Sequence, residues 1–340
     1  MQADLSREEL ILPKNKTVER FMMDEWFEGW VLDQNGDSTI KDYKETMVRY
    51  IFPTFGTIKL QDLSTIYIQR NYNRWKTKSP LSNNGLSVET IRHINRIFNA
   101  GLNKAVDLEY IKKNPLKGIS IKSEKGSKHE VEVYSEEEFR QLIQAVKLTD
   151  MELSVSLLFD CMLRRGELLG LKWDSVNLDT GMLTIQRTYI ESINGPILKE
   201  GTKSNSSSRK IKCTDHTLKL LKHERLRQLQ NKIQMGDQYI DEGFVIAQPD
   251  GLPFMPKSMT QKWIRLLKNS NIRHLKLHAC RNCSISFALA AGMAPHTVMK
   301  RAGHSNCKLT LEVYAKVSTD QQDVAAQIMS DSLFKKAVNN

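Results

Sequence analysis

His278 and Arg281 lie three positions apart, Gly303-His304 follows, and Tyr314 stands ten residues past that second histidine. An imidazole, a guanidinium, a second imidazole and a phenol, in that order, are groups that attack on a phosphodiester by a tyrosine would need. Two further cations precede them. Arg164 sits in Leu163-Arg164-Arg165-Gly166-Glu167-Leu168-Leu169-Gly170-Leu171, and Lys203 in the polar run Gly201-Thr202-Lys203-Ser204-Asn205-Ser206-Ser207-Ser208. In-line attack by a phenolate oxygen builds negative charge on the non-bridging phosphate oxygens, and fixed guanidiniums meet that charge with paired hydrogen bonds. Arg164 and Arg281 are the candidates, and losing one such clamp would cost about 2.7–4 kcal/mol of barrier. A phenol of pKa about 10 needs a cationic site and a nearby base to react as phenolate. His278 could take that proton, and His304 could hydrogen-bond the phosphate or assist proton movement.

The ordered set Arg164, Lys203, His278-x-x-Arg281, Gly303-His304 and Tyr314 resembles the active site of the tyrosine recombinase (phage integrase) family, most like integrases of phages and integrative or conjugative transposons. The resemblance spans most of residues 150–320, and residues 16–118 resemble the helical core-binding domain of such integrases on vaguer features. It implies a site-specific recombinase that cleaves and rejoins DNA through a 3′-phosphotyrosyl intermediate, integrating or excising a mobile element. The covalent link keeps the bond energy, so no ATP, cofactor or essential metal is expected. Lys203 would protonate the departing 5′ oxygen, Tyr314 would be the nucleophile, and Glu167 would orient the arginines. The implied partners are double-stranded DNA recombination sites gripped by a C-shaped clamp, four protomers on two sites, and accessory DNA-bending or excision factors.

The sequence departs from the usual family pattern in places. Cys161-Met162 stand where Thr-Gly is common, Ala302 replaces a frequent Leu before Gly-His, and Asn282-Cys283 follow Arg281 where His-Thr is typical. None of these removes an expected catalytic group.

Around the chemical residues, the chain of 340 residues is long enough for two domains. Fifty Lys and Arg against 39 Asp and Glu leave a formal charge of +11, which points to a polyanionic partner, most simply nucleic acid. No apolar run approaches the roughly 20 residues of a spanning helix, and the N-terminal sequence lacks signal-peptide character, so a cytoplasmic protein without membrane contact is expected, and the family resemblance implies a bacterial one, nucleoid-associated when on DNA. Five scattered cysteines argue for reduced thiols.

The expected organisation is multidomain and mainly α. Residues 1–16 read as a flexible leader and 17–117 as a helical core-type (SAM-like) DNA-binding domain. Residues 118–132 read as a basic linker, 133–318 as a mixed α/β catalytic domain with a small antiparallel sheet, and 319–340 as a tail. Thr17 caps a first helix, a second should stop within residues 51–56, where Pro53 and Gly56 end it, and a third runs from about Ser64 to Trp75. In the fourth, Val88, Ile91, Ile94, Phe98, Leu102 and Ala105 recur at helical steps, while Arg92 and Arg96 share another face suited to phosphates or to water. Lys117 and Lys122, near the linker, complete the candidate DNA contacts. In the second domain, Ser135-Glu-Glu-Glu opens a helix, Met182–Ile190 reads as one strand and Arg209–Cys213 as its return partner, with Lys203 in the connection. The tail carries Val324, Ile328, Met329, Leu333, Phe334 and Val338 at helical steps, a stripe that packs on its own domain or on a neighbouring protomer.

Other readings stay open. His274, His278, Cys280 and Cys283 have metal-like spacing, although a single Cys-x-x-Cys inside a helix is a weak zinc signal and no metal is expected. With Cys161 and Cys307, these thiols read more simply as small buried side chains. A type IB topoisomerase-like nicking-closing enzyme and a non-catalytic DNA-binding protein are the functional alternatives.

Overall fold

The computed structural model describes residues 15–122, 132–201 and 208–304. Lys203, Tyr314, Cys307 and the stripe within 319–340 lie outside them, as do most of the expected leader and linker. The described residues fall into two compact units that part between residues 122 and 132, with 191–195 counted in the first.

The first unit is helical. It contains α1 (residues 18–34), α2 (residues 37–55), α3 (Thr65–Trp75) and α4 (Val88–Asp107). Three of these helices carry side-chain caps: Thr17 and Ser64, as expected, and Ser87 accept the backbone N–H of Arg20, Tyr67 and Thr90. Phe21, Trp26, Phe55, Tyr72, Trp75 and Phe98 fill the core between these helices. α2 ends at Phe55 with Gly56 as its cap, inside the expected stop at residues 51–56. Over Met47–Ile51 it widens into a π-type turn, in which Phe52 N–H reaches back five residues to Met47 O. Pro53 sits in the first turn after that widening, where its missing N–H costs least.

The second unit wraps helices around two small antiparallel sheets. Its helices are α5 (Glu136–Val146), α6 (Glu152–Asp160), α7 (Arg165–Leu169), α8 (Asp215–Met235), α9 (Pro256–Asn269), α10 (Ala279–Ala290) and α11 (Pro295–Ala302). Ser135 and Glu138 form a reciprocal capping box at the start of α5. The strands are β1 (Val176–Asn177), β2 (Met182–Ile185), β3 (Arg187–Ser192), β4 (Gly195–Glu200) and β5 (Arg209–Lys212). They pair as β1-β2-β5 and β3-β4. β2 and β5 pair as expected, Ile185 opposite Arg209, but Met182–Ile190 is two strands in two sheets. The break falls at Gln186, whose carbonyl accepts Gly201 N–H at 2.9 Å while its side chain donates to Ser175. Among the described residues no helix is long and apolar enough to cross a membrane.

Candidate active site

α6 ends at Asp160, the chain reverses through Cys161 and Met162, and Arg164 follows in extended conformation at the head of α7. The reversal depends on Met162 taking φ +51°, a left-handed backbone rare for an L side chain. Glu167, in the first turn of α7 and 3% exposed, accepts Arg164 N–H at 3.0 Å and the Arg164 guanidinium at 2.8 Å. The other terminal nitrogen of Arg164 donates to Gly303 O at 2.8 Å. Gly166 brings α7 against β3, since a Cβ there would lie 2.5 Å from Thr188 Oγ1.

His278 and Arg281 open α10. The segment leading into it is pinned by Trp263 Nε1, which donates to Leu275 O at 2.7 Å. His278 is the capping residue and Arg281 lies in the first turn, so the three-residue spacing puts both at one helix end. Arg281 is 0% exposed. Its Nη1 donates to Met162 O and its Nη2 to Ala302 O, and Nε has no hydrogen-bond partner among the described residues. No carboxylate forms an ion pair with it among those residues.

α11 closes on Gly303, φ +64°, and His304 N–H returns to Met299 O at 3.1 Å, a turn that only a left-handed residue completes easily. Arg301 braces it by donating to Asp160 O, Asp160 Oδ1 and Lys212 O at 2.8–3.0 Å. The same turn presents Gly303 O to Arg164 and carries His304 into the group.

Arg209 is the member the sequence reading did not place in the site. At the first position of β5, its Nη2 and Nη1 donate to Glu167 Oε2 and Oε1 at 2.8 and 3.2 Å, and its Nε donates to Arg301 O at 2.8 Å. The available signal was an arginine at the end of the polar loop holding Lys203, which strand patterning alone reads as an edge residue.

Three guanidiniums, Arg164, Arg209 and Arg281, therefore surround one carboxylate. Burial would raise the Glu167 pKa, but the hydrogen bonds and charge of Arg209, then Arg164, hold it below the ordinary value. Burial, followed by the charge of Arg164, lowers Arg281 to about 9, still protonated at neutral pH. The pKa values of His278 and His304 are both lowered to about 4, by crowding from the surrounding protein first and then by Arg281 and Arg164. His278 nevertheless keeps a solvent-exposed surface. The cluster can hold an oxyanion beside two neutral imidazoles.

Five of the expected site residues, Arg164, Glu167, His278, Arg281 and His304, are thus brought together, while Lys203 and Tyr314 lie outside the described residues. Arg165, unassigned from sequence, donates to Thr260 Oγ1 at 2.9 Å. In the first unit Arg92 is exposed but engaged by Glu89 and Ile121 O, Arg96 meets His93, and Lys117 and Lys122 are exposed. Cys161, Cys280 and Cys283 are buried, and burial raises each thiol, so none is a ready metal-binding thiolate. Cys283, one of the departures, accepts Tyr134 N–H through Sγ at 3.1 Å.

Residues 132–321 match the phage integrase family, and residues 20–76 match the phage integrase N-terminal SAM-like domain. A tyrosine recombinase XerC-like protein of Caldanaerobacter subterraneus subsp. tengcongensis is 28% identical over 81% of this chain and 72% of its own length. The ICEBs1 integrase of Bacillus subtilis is 22% identical over 74% of this chain and 68% of its own. In fold, the chain is similar to the Tn1549 transposon integrase solved with transposon right end DNA, with TM-score 0.72 and 18% identity over 92% of this chain and 99% of that one. It is also similar to a lambda integrase solved as a tetramer bound to a Holliday junction, with TM-score 0.63 and 15% identity over 90% and 80% of the two chains.

Proposed function

Because the chain belongs to the phage integrase family, whose members are tyrosine recombinases, we propose that it integrates or excises a mobile element by cleaving and rejoining DNA through a 3′-phosphotyrosyl intermediate. One observation carries the reading. Arg281 is fully buried with no carboxylate of its own among the described residues, one nitrogen unpaired, and it neighbours Arg164. Burying an uncompensated cation is costly, and a phosphodiester oxyanion supplies the missing charge.

In this reading Tyr314 Oη attacks phosphorus, the bond from phosphorus to the 5′ oxygen breaks, and the 3′-phosphate becomes linked to the tyrosine. His278, neutral at pH 7, takes the phenolic proton, and the negative phosphate beside it offsets the burial and arginine charges that lower its basicity. Lys203 delivers a proton to the leaving 5′ oxygen. Arg164 and Arg281 hold the non-bridging oxygens, and His304 hydrogen-bonds the phosphate. A 5′-hydroxyl from another strand reverses these steps and exchanges the strands.

The protein would act in the bacterial cytoplasm as four copies on two double-stranded recombination sites, with accessory DNA-bending or excision factors. The first unit would grip the duplex, with Arg92, Arg96, Lys117 and Lys122 as phosphate contacts.

The test uses suicide duplexes nicked near the cleavage position and tiled across the DNA flanking the coding sequence. Wild type should yield a covalent adduct through a 3′-phosphate on a denaturing gel, and Tyr314→Phe should yield none. Tight binding without any adduct would instead favour a non-catalytic DNA-binding protein. Adducts that only relax and reseal supercoiled DNA would favour the topoisomerase-like alternative.

A further inference from the structure

Arg209 has no part in the chemistry above, yet it ties together separate elements of the cluster. Its side chain is 7% exposed, and each of its three nitrogens donates to a protein acceptor. Two of those bonds run as a fork onto both oxygens of Glu167, and the third holds Arg301 O, two residues before Gly303. Its guanidinium also packs on Gly303, where an added Cβ would lie 2.8 Å from Nη1. Since Arg164 reaches both Glu167 and Gly303 O, the contacts close a circuit: Arg209 to Glu167, Glu167 to Arg164, Arg164 to Gly303, and along the chain to Arg301 and back.

We infer that Arg209 is a positioning residue for strand cleavage, locking the head of α7, which carries Arg164, to the end of α11, which delivers His304. The inference rests on the strand-transfer reading proposed above. A planar fork suits this task because one rigid group satisfies acceptors on two separate elements at fixed angles. Lysine offers the charge without the fork. Arg209 also begins β5 directly after the polar run that carries Lys203 in the sequence. Turned toward Glu167 and Arg301, it contacts protein and leaves the phosphate to Arg164 and Arg281.

The experiment compares wild type, Arg209→Lys and Arg209→Ala on a nicked suicide duplex from the flanking DNA. It reads the Kd for the duplex, the single-turnover rate of adduct formation and the thermal melting temperature. Arg209→Ala should slow adduct formation by roughly 10²-fold, the scale of a small misplacement of reacting groups, with Kd changed by less than about threefold. Arg209→Lys should recover about tenfold of that loss, because charge is restored to Glu167 without the fork. If Arg209→Ala does not fold, a loss of rate in Arg209→Lys at unchanged melting temperature and Kd supports the inference. Adduct rates within about threefold of wild type in either folded variant overturn it, as does a loss explained entirely by the unfolded fraction. Failure of the wild-type protein itself to form an adduct removes the strand-transfer reading, and this inference with it, before any variant is compared.

Discussion

Met162 hands its carbonyl oxygen to the buried guanidinium of Arg281, and does so from a left-handed backbone at φ +51°. Its side chain points the other way, into a small apolar cluster with Ile285, Leu289, Val298 and Ala302. The position is one where glycine is common in the family, and this chain fills it with a side chain while keeping the conformation that glycine favours. An L residue pays about 1–2 kcal/mol for that conformation, and burial of the methionine offsets it.

Met162→Gly should therefore lower stability by about 1–3 kcal/mol, because losing a buried Met costs more than relieving the backbone returns. The adduct rate of the folded variant should stay near wild type, since the carbonyl facing Arg281 remains. Urea unfolding with single-turnover cleavage reads both. A stabilised Met162→Gly would mean the cluster packs too loosely for its side chain to matter.

Gly303 faces the opposite constraint, with positive φ and no room. Gly303→Ala forces an L residue to φ +64° and drives its Cβ against the Arg209 guanidinium. Stability should fall by at least about 1–2 kcal/mol, and adduct formation should slow more than the stability loss explains, because Gly303 O would swing from Arg164. Crystals of the variant with Arg164 Nη2 still on that carbonyl would refute the explanation.

Arg164, His278, Arg281 and His304 were legible as a set, through the order and spacing they share with the tyrosine recombinase family, and the fold brings them together. Glu167 was legible only through likeness to a family. Arg209 was not, since what recruits it is a tertiary contact between the first residue of β5 and a helix distant in sequence, and a strand pattern holds no trace of that contact. Helix starts at Thr17, Ser64 and Ser135 were readable because a cap is a local hydrogen bond. The stop of the second helix was readable for the same reason, since Pro53 and Gly56 act through their own backbones. The split of Met182–Ile190 turns on Gln186 meeting Gly201, again a distant partner.

Glu167→Gln tests the centre of the cluster. At neutral pH the variant leaves the nearly buried Arg209 without its counter-charge, at a cost of about 3–5 kcal/mol. The sign of the pH dependence follows from a depressed carboxylate: its contribution is complete above the ordinary value of 4.5 and is lost as pH falls toward the lower native value. Stability of wild type and variant should thus converge below about pH 4.5. Denaturant midpoints measured from pH 7 downward would show it, and a gap constant down to pH 3 would mean that Glu167 is not held ionised by its arginines.

The two histidines act in a higher window. Each is lowered from an ordinary 6.5 to about 4, so between those values the unfolded chain binds protons that the folded site refuses, and stability falls as pH drops through the window. His278→Gln and His304→Gln should each flatten the stability profile between pH 6.5 and 4, and the double variant should flatten it further. The lowered carboxylates, Glu167 and Glu138, lose their contribution only below about 4.5, which keeps the two effects apart. Binding of a phosphodiester would add a negative charge beside both rings and raise their pKa, so the same duplex should move imidazole carbon shifts toward the protonated form at pH 6. Unchanged shifts on a duplex that demonstrably binds would place its phosphate away from His278 and His304, and with it the proton transfer assigned to them.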